Sequence, residues 1–314
     1  MHMILLSAPF RLAAIWLLAI ASLGPTGRTV AGEALPVVAS FSILGDLTQQ
    51  VGGDRVQVYT LVGPGADAHV YQPTPSDART LSRARLVIVN GLGFEGWIGR
   101  LIKSSGYPGP LVVASQGVHA LRQPRAHAGK HADPHQHPGD LDPHAWQDLA
   151  NARRYIANIA AALGEADPAN RSVYQANAAR LDQAMATLDG EIRATFSALP
   201  AERRKVVSSH DAFAYFGRAY GIRFIAPVGV STDAEPSAGE VGAIIRQIRQ
   251  EKIRAMFVEN ITDPRLLERI SRESGARIGG TLYSDSLAKP GSAADSYLGM
   301  MRQNAKTLAA ALTD

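Results

Sequence analysis

The amino-acid sequence predicts an α/β fold of two lobes, each with a mostly parallel sheet flanked by helices, joined by one long rigid helix. Three observations carry this expectation. First, Pro168 to Leu199 reads PANRSVYQANAARLDQAMATLDGEIRATFSAL, with no internal proline and no glycine before Gly190. Val173, Tyr174, Leu181, Met185, Leu188, Ile192, Phe196 and Leu199 recur at threes, fours and sevens, which gives a helix one apolar face. At 1.5 Å per residue that helix runs roughly 45–50 Å, longer than a small domain is wide. Asp167 reads as its N-cap, Pro168 as its first residue and Pro200 as its stop. Second, short β-rich runs alternate with amphipathic helices on both sides of this stretch, the pattern of parallel sheets with right-handed crossovers. Third, 314 residues with 46% apolar and 19% charged content are globular, and the length allows two domains of ordinary size as well as one large one.

In chain order, the N-terminus reads as a leader. Arg11 precedes the apolar run LAAIWLLAIASLG, and a small-residue region from Thr29 to Ala34 follows, with cleavage expected between Ala31 and Leu35. The run is too short to favour a membrane span, with a retained N-terminal anchor as the alternative. PVVASFSIL then reads as a buried parallel strand. A short helix opens at Gly45-Asp46 and closes at Gly52-Gly53-Asp54. Val56 to Val62 is a second strand, and it ends in the loop Gly63 to His69, where α/β proteins place ligands. Tyr71 to Asp77 leads into a helix ending near Arg85. LVIVNG is a third strand, Phe94-Glu95-Gly96-Trp97 begins a helix, and LVVAS is a fourth strand. Residues 119–137 break the rhythm with His119, His127, His131, His135 and His137 among Gly, Pro and Ala. This composition predicts a loop that is disordered without a ligand. Asp142-Pro143-His144 follows, then a helix from about Leu149 to Gly164.

Beyond the long helix, KVVSSH is a strand ending on His210, and Ala212 to Tyr220 is a helix stopped by Gly221. RFIAPVGV is a strand, the polar turn Ser231 to Ser237 opens a helix to Lys252, and IRAMFVEN is a strand containing Glu259. Pro264 starts the helix LLERISRESG, RIGGTLYSD is the last strand and ends at Asp285, and Ser296 to Leu312 is the final helix. The expected divisions are a signal peptide over 1–34, a first lobe over 35–164, the linking helix over 165–200 and a second lobe over 201–314.

Composition narrows the chemistry. There is no cysteine, so an exported chain has no disulfides to form and no thiol for a lipoprotein anchor. Export without an anchor predicts a soluble periplasmic protein, and any metal site has to be built from His, Asp and Glu. The net charge of +4 is small, and no basic stripe with interleaved aromatics is present, which excludes nucleic acid as a partner.

Of the nine histidines, His2 lies in the leader and five lie in the Gly/Pro loop, leaving His69, His144 and His210. Each of these three follows a predicted strand or opens a helix, and Asp285 holds the equivalent place after the last strand. Two candidates come from each lobe, a geometry suited to a cleft. These residues carry a resemblance. GADAHVYQPTPSDA, LDPHAWQD, SSHDAFAYFGRAYG and TLYSDSL resemble the four ligand segments of the periplasmic metal-binding proteins that feed zinc and manganese ABC importers. The resemblance runs from PVVASFSILGDL to the C-terminal helix, with the segments in the family's order. It implies two α/β lobes on one rigid helix, a metal in the cleft, and His69, His144, His210 and Asp285 as ligands. It also implies that manganese-type members carry glutamate where this chain has His210.

Three imidazoles and one carboxylate favour Zn²⁺ over Mn²⁺, which prefers oxygen donors. Asp67, Asp142, Asp148, Asp211 and Glu259 are candidates to hold the other ring nitrogens of the histidines; Glu259 could instead pair with an arginine. The expected function is binding, not catalysis: capture of Zn²⁺ in the periplasm and delivery to an ABC permease with its ATPase, by a monomer. A periplasmic metallochaperone is a further candidate partner, and the loop histidines an accessory capture device. The alternatives are a manganese-delivering member of the same family, a periplasmic zinc buffer, and a zinc hydrolase using His69, His144 and His210 with Asp285 as base. The last lacks an HExxH sequence.

Overall fold

The computed structural model describes residues 33–123 and 141–313. The expected leader and four of the loop histidines (His127, His131, His135 and His137) lie outside the described residues. The first lobe is built on β1 (Leu35–Phe41), β2 (Val56–Val62), β3 (Leu86–Val89) and β4 (Leu111–Val113), in the order β2-β1-β3-β4. The second uses β5 (Lys205–Val207), β6 (Arg223–Ile225), β7 (Ala255–Glu259) and β8 (Arg277–Leu282), in the order β6-β5-β7-β8. Every pairing is parallel, and the two orders are the same when each lobe is counted from its own first strand. The carboxyl ends of both sheets are therefore built alike, although the two lobes share no sequence repeat.

The helices are α1 (Ser42–Gly52), α2 (Pro75–Ser82), α3 (Ile98–Ser105) and α4 (Leu149–Ala166) in the first half, then α5 (Arg171–Ser197). After it come α6 (Ala214–Tyr220), α7 (Ala238–Glu251), α8 (Arg265–Ser274) and α9 (Tyr297–Thr313). Several boundaries depart from expectation: the strands expected in RFIAPVGV, KVVSSH, LVVAS and RIGGTLYSD end early, at Ile225, Val207, Val113 and Leu282. The run PVVASFSIL is divided, because β1 stops at Phe41 and α1 takes Ser42 onward, with Phe41 as an N-cap that makes no side-chain bond. Phe94 to Trp97 forms turns ahead of α3 and not its first residues. Asp167 does not cap the long helix: it closes α4, and a 3-10 turn over Pro168–Asn170 intervenes before α5. Its carboxylate instead accepts hydrogen bonds from Asn170 Nδ2 and the Tyr174 hydroxyl, both at 2.7 Å.

The long helix keeps 27 residues and spans about 40 Å at 1.5 Å per residue. It buries Tyr174, Leu181, Met185, Leu188, Ile192 and Phe196, while Val173 and Leu199 at its ends are only half-buried. This face packs on α1 and α4 of the first lobe and on α6 and α9 of the second. One continuous apolar core runs from Val37 and Trp146 through α5 to Phe213, Leu282 and Leu308. Only the outer layer of the second lobe, around Ile244, Met256 and Ile270, forms a separate cluster.

Candidate metal centre

Each candidate ligand stands just beyond an ordered element. His69 lies in the loop after β2, and His144 opens a 3-10 turn (Ala145–Gln147) ahead of α4. His210 follows β5 and bridges to Val228, and Asp285 follows β8. All but His144 are thus delivered from the carboxyl ends of strands, the usual place for ligands in such sheets.

Local turns aim two of them. Asp67 Oδ1 accepts the backbone N–H of His69 at 2.9 Å, and Asp142 Oδ1 accepts that of His144 at 2.9 Å. In such an Asx turn the carboxylate bonds the backbone two residues on. The spacing Asp-x-His, read as Asp67-Ala68-His69 and Asp142-Pro143-His144, is a sequence signal that marks both ligands. Asp142 Oδ1 also lies 2.8 Å from His144 Nδ1, and its backbone carbonyl accepts the Tyr215 hydroxyl at 2.9 Å. Glu259, at the end of β7, takes the His210 backbone N–H at 2.9 Å through Oε1. Its Oε2 stands 2.6 Å from His210 Nδ1, close enough for an ion pair although off the line of a hydrogen bond. Glu259 therefore serves His210 and not an arginine. Asp148 caps α4 by accepting the Ala150 N–H, and the Asp211 N–H donates to the Gly229 carbonyl; neither is seen holding a histidine ring.

The four side chains converge. Nε2 of His69, His144 and His210 lie 3.2, 3.4 and 3.1 Å from the Asp285 oxygens, and the His69 and His144 Nε2 atoms are 3.3 Å apart. All four potential donor atoms lie within 4.8 Å of one another. Donors about 2.0–2.2 Å from a tetrahedral zinc stand roughly 3.3–3.6 Å from each other, so the spacing fits a cation at the centre. His144, His210 and Asp285 are fully buried, while His69 retains 5% side-chain exposure. Phe94 stands edge-on to His69 with ring centroids 4.8 Å apart, and Trp146 to His144 at 5.3 Å. These two aromatic walls were not anticipated from the sequence. Their only advance signal is that each lies next to a ligand-bearing or ligand-facing turn.

Electrostatics agree with a cation site. Both Asp285 oxygens are buried without an aligned hydrogen-bond donor among the described residues. A buried carboxylate left so is costly unless a positive group faces it. Burial alone would push Asp285 up, but the charges of His144 and His210 hold it well below the usual carboxylate range. Burial likewise depresses His144, yet Asp285 and Asp142 outweigh it and raise the ring to about 9. His210 is raised in the same way, against its burial, by Glu259 and Asp285. The cluster thus favours positive charge at its centre, which a divalent ion can supply. His119 is exposed and stands outside this group.

Known proteins resemble this chain over about nine-tenths of its length. The family model of the periplasmic zinc-uptake complex component A, ZnuA, matches residues 37–311. The manganese ABC transporter substrate-binding lipoprotein PsaA of Streptococcus pneumoniae is 31% identical over 293 residues, covering 91% of this chain and 92% of that one. The manganese-binding lipoprotein MntA of Halalkalibacterium halodurans is 33% identical over 288 residues, covering 92% of each. Among solved structures, the periplasmic zinc-binding protein TroA from Treponema pallidum superposes with a TM-score of 0.80 at 28% identity, over 89% of this chain and 99% of that one. A manganese-bound periplasmic metal-binding protein from Candidatus Liberibacter asiaticus gives 0.78 at 28% identity, over 88% and 99%. With two parallel-sheet lobes, a joining helix and a convergent three-histidine, one-aspartate cluster, this chain belongs to the ZnuA family, the metal-binding substrate-binding components of ABC importers.

Proposed function

We propose that this protein captures Zn²⁺ in the periplasm through His69, His144, His210 and Asp285 and delivers it to a membrane permease driven by an ATPase. The observation that carries the reading is the donor set: three imidazole nitrogens converge on one carboxylate at 3.1–3.4 Å. Neutral imidazoles suit zinc, whereas manganese prefers oxygen donors and lies lowest in the order of divalent affinities. TroA, described as a zinc-binding protein, supports the same choice. Four protein donors fill a tetrahedral shell and leave no position for a reacting water, which weighs against a hydrolase. In this reading residues 1–34 are a leader, the lobes occupy 35–164 and 201–314, and 165–200 link them. The loop over 119–137 concentrates ions near the cleft through His119, His127, His131, His135 and His137.

Manganese delivery is the second reading, favoured because two relatives are named for manganese. The deciding experiment loads the metal-free mature protein with zinc and manganese in competition with a chelator, beside His210→Ala and a deletion of residues 125–137. Zinc delivery predicts one tight zinc equivalent, lost in His210→Ala and kept in the deletion, which loads more slowly or with lower total stoichiometry. Tight manganese that zinc displaces only weakly would reverse the choice of metal.

A further inference from the structure

The Asp67 carboxylate does two things at once. Its Oδ1 accepts the backbone N–H of the ligand His69 at 2.9 Å, and its Oδ2 accepts the Thr232 hydroxyl of the second lobe at 2.6 Å. The two loops involved are counterparts, since one follows β2 and the other follows β6, the edge strands in equivalent positions of the two sheets. Thr232 lies in a stretch with no helix or strand between β6 and α7. Among the described residues, its hydroxyl makes the one hydrogen bond that joins residues 231–236 to another part of the fold.

Most of the seam between the lobes is built differently, although Arg218 and Asp148 also pair side chain to side chain across it at 3.8 Å. Gly65 N–H donates to Ser286 Oγ at 2.7 Å and to the Leu287 carbonyl at 3.1 Å, Leu287 N–H donates to Ser42 Oγ at 3.0 Å, and Trp146 Nε1 donates to the Ser284 carbonyl at 2.9 Å. Backbone groups take part in each, and Ser42, Trp146, Ser284, Ser286 and Leu287 are buried. Such contacts hold unless the lobes separate. Asp67 and Thr232 are only half-buried, and they lie beside His69, the one ligand that retains solvent exposure. A segment tied by few bonds opens locally at little cost, while the packed seam stays shut.

We propose that Thr232 is a positioning residue, a latch that closes the 231–236 loop over the His69 side of the metal centre and sets the rate of metal release. It acts through Asp67 and does not touch the metal. This rests on the metal-delivery reading given above. Removing the hydroxyl leaves the Asx turn that aims His69 intact, so the four-ligand site and its stoichiometry are retained. What changes is the ease with which the loop swings away and lets water or an acceptor reach His69.

The test measures zinc release into excess chelator by stopped flow for the full mature chain, Thr232→Val and Thr232→Ser. A latch predicts that Thr232→Val releases zinc about three- to tenfold faster, the span expected when one part-exposed hydrogen bond is lost. It also predicts wild-type release from Thr232→Ser, one zinc per chain in all three, and a metal-free unfolding midpoint lowered in Thr232→Val by no more than one hydrogen bond accounts for. Equal release from Thr232→Val and wild type overturns the latch, as does a serine variant as fast as the valine one. A metal-free midpoint lowered in Thr232→Val by far more than one hydrogen bond accounts for assigns its effect to general destabilisation and overturns it too. A wild-type protein with no tight divalent site is a distinct result, which removes the underlying reading.

Discussion

Two carboxylates fix two of the rings at the metal centre: Asp142 Oδ1 lies 2.8 Å from His144 Nδ1, and Glu259 Oε2 lies 2.6 Å from His210 Nδ1. Asp142 does so by a hydrogen bond to the ring and Glu259 by charge and by its bond to the His210 backbone N–H, and both leave Nε2 facing the centre. Glu259→Gln is expected to weaken zinc binding about 10–100-fold while keeping one equivalent per chain, because outer partners of ligating histidines typically matter by that factor. Chelator competition measures it, and an unchanged affinity would mean that packing alone holds His210. Protons compete at the same atoms. His144 is raised to about 9, so at neutral pH its Nε2 tends to carry the proton that zinc must displace. A group with a raised pKa holds its proton until the pH passes that value, so zinc affinity should climb with pH and level off only above about 9. Calorimetry near neutral pH in two buffers of different ionisation enthalpy reads the protons released; a binding heat independent of buffer would contradict the scheme.

The secondary elements were legible where period and punctuation agreed. β2 occupies Val56–Val62 as its composition and flanking Gly-rich turns indicate, and the buried face of α5 is the one its spacing of threes, fours and sevens picks out. The junction of β1 and α1 was not legible, because PVVASFSIL is almost wholly buried and a continuous apolar run gives no period to separate strand from helix. At the site, the scarcity of histidines outside the loop and their places after strands sufficed to single out His69, His144 and His210. Glu259 as the partner of His210 could not be chosen over four aspartates, since that choice depends on β5 pairing beside β7. The bond from Thr232 to Asp67 joins residues 165 apart and leaves no local trace. The long helix carries its own prediction. Met185 is fully buried at the middle of α5, in the face that touches both lobes. Met185→Ala should lower stability by about 2–5 kcal/mol through lost burial and a residual cavity. Urea unfolding reads it as a shift in midpoint without a change in slope; a shift near zero would mean that the helix is braced by its ends alone.

At the scale of the whole molecule, the two lobes are not independent bodies joined by a tether. A single apolar core runs through α5 into both, and the seam between them holds the bonds of Ser42, Gly65, Trp146, Ser286 and Leu287. Asp46 Oδ2 in α1 accepts the N–H of Tyr297 at the start of α9 at 2.8 Å, and the Tyr297 hydroxyl donates to the Trp146 carbonyl at 2.6 Å. Opening the lobes like a hinge would break these bonds and expose core surface, at roughly 25 cal/mol per Å² of apolar area. A metal held by the proposed ligands would contribute energy at His69, His144, His210 and Asp285, where the three ring nitrogens already lie 3.1–3.4 Å from the Asp285 oxygens. With the donor atoms this close in a buried arrangement, little remains for a large closure to gain. Solution scattering of the metal-free and zinc-loaded protein should give nearly the same radius of gyration. Thermal unfolding should show one transition that moves upward with zinc, by about 2.7 kcal/mol of added stability at a hundred times the dissociation constant. A marked compaction on zinc binding would mean that the seam opens in the metal-free protein, and that the lobes and not the loops beside His69 control access to the metal.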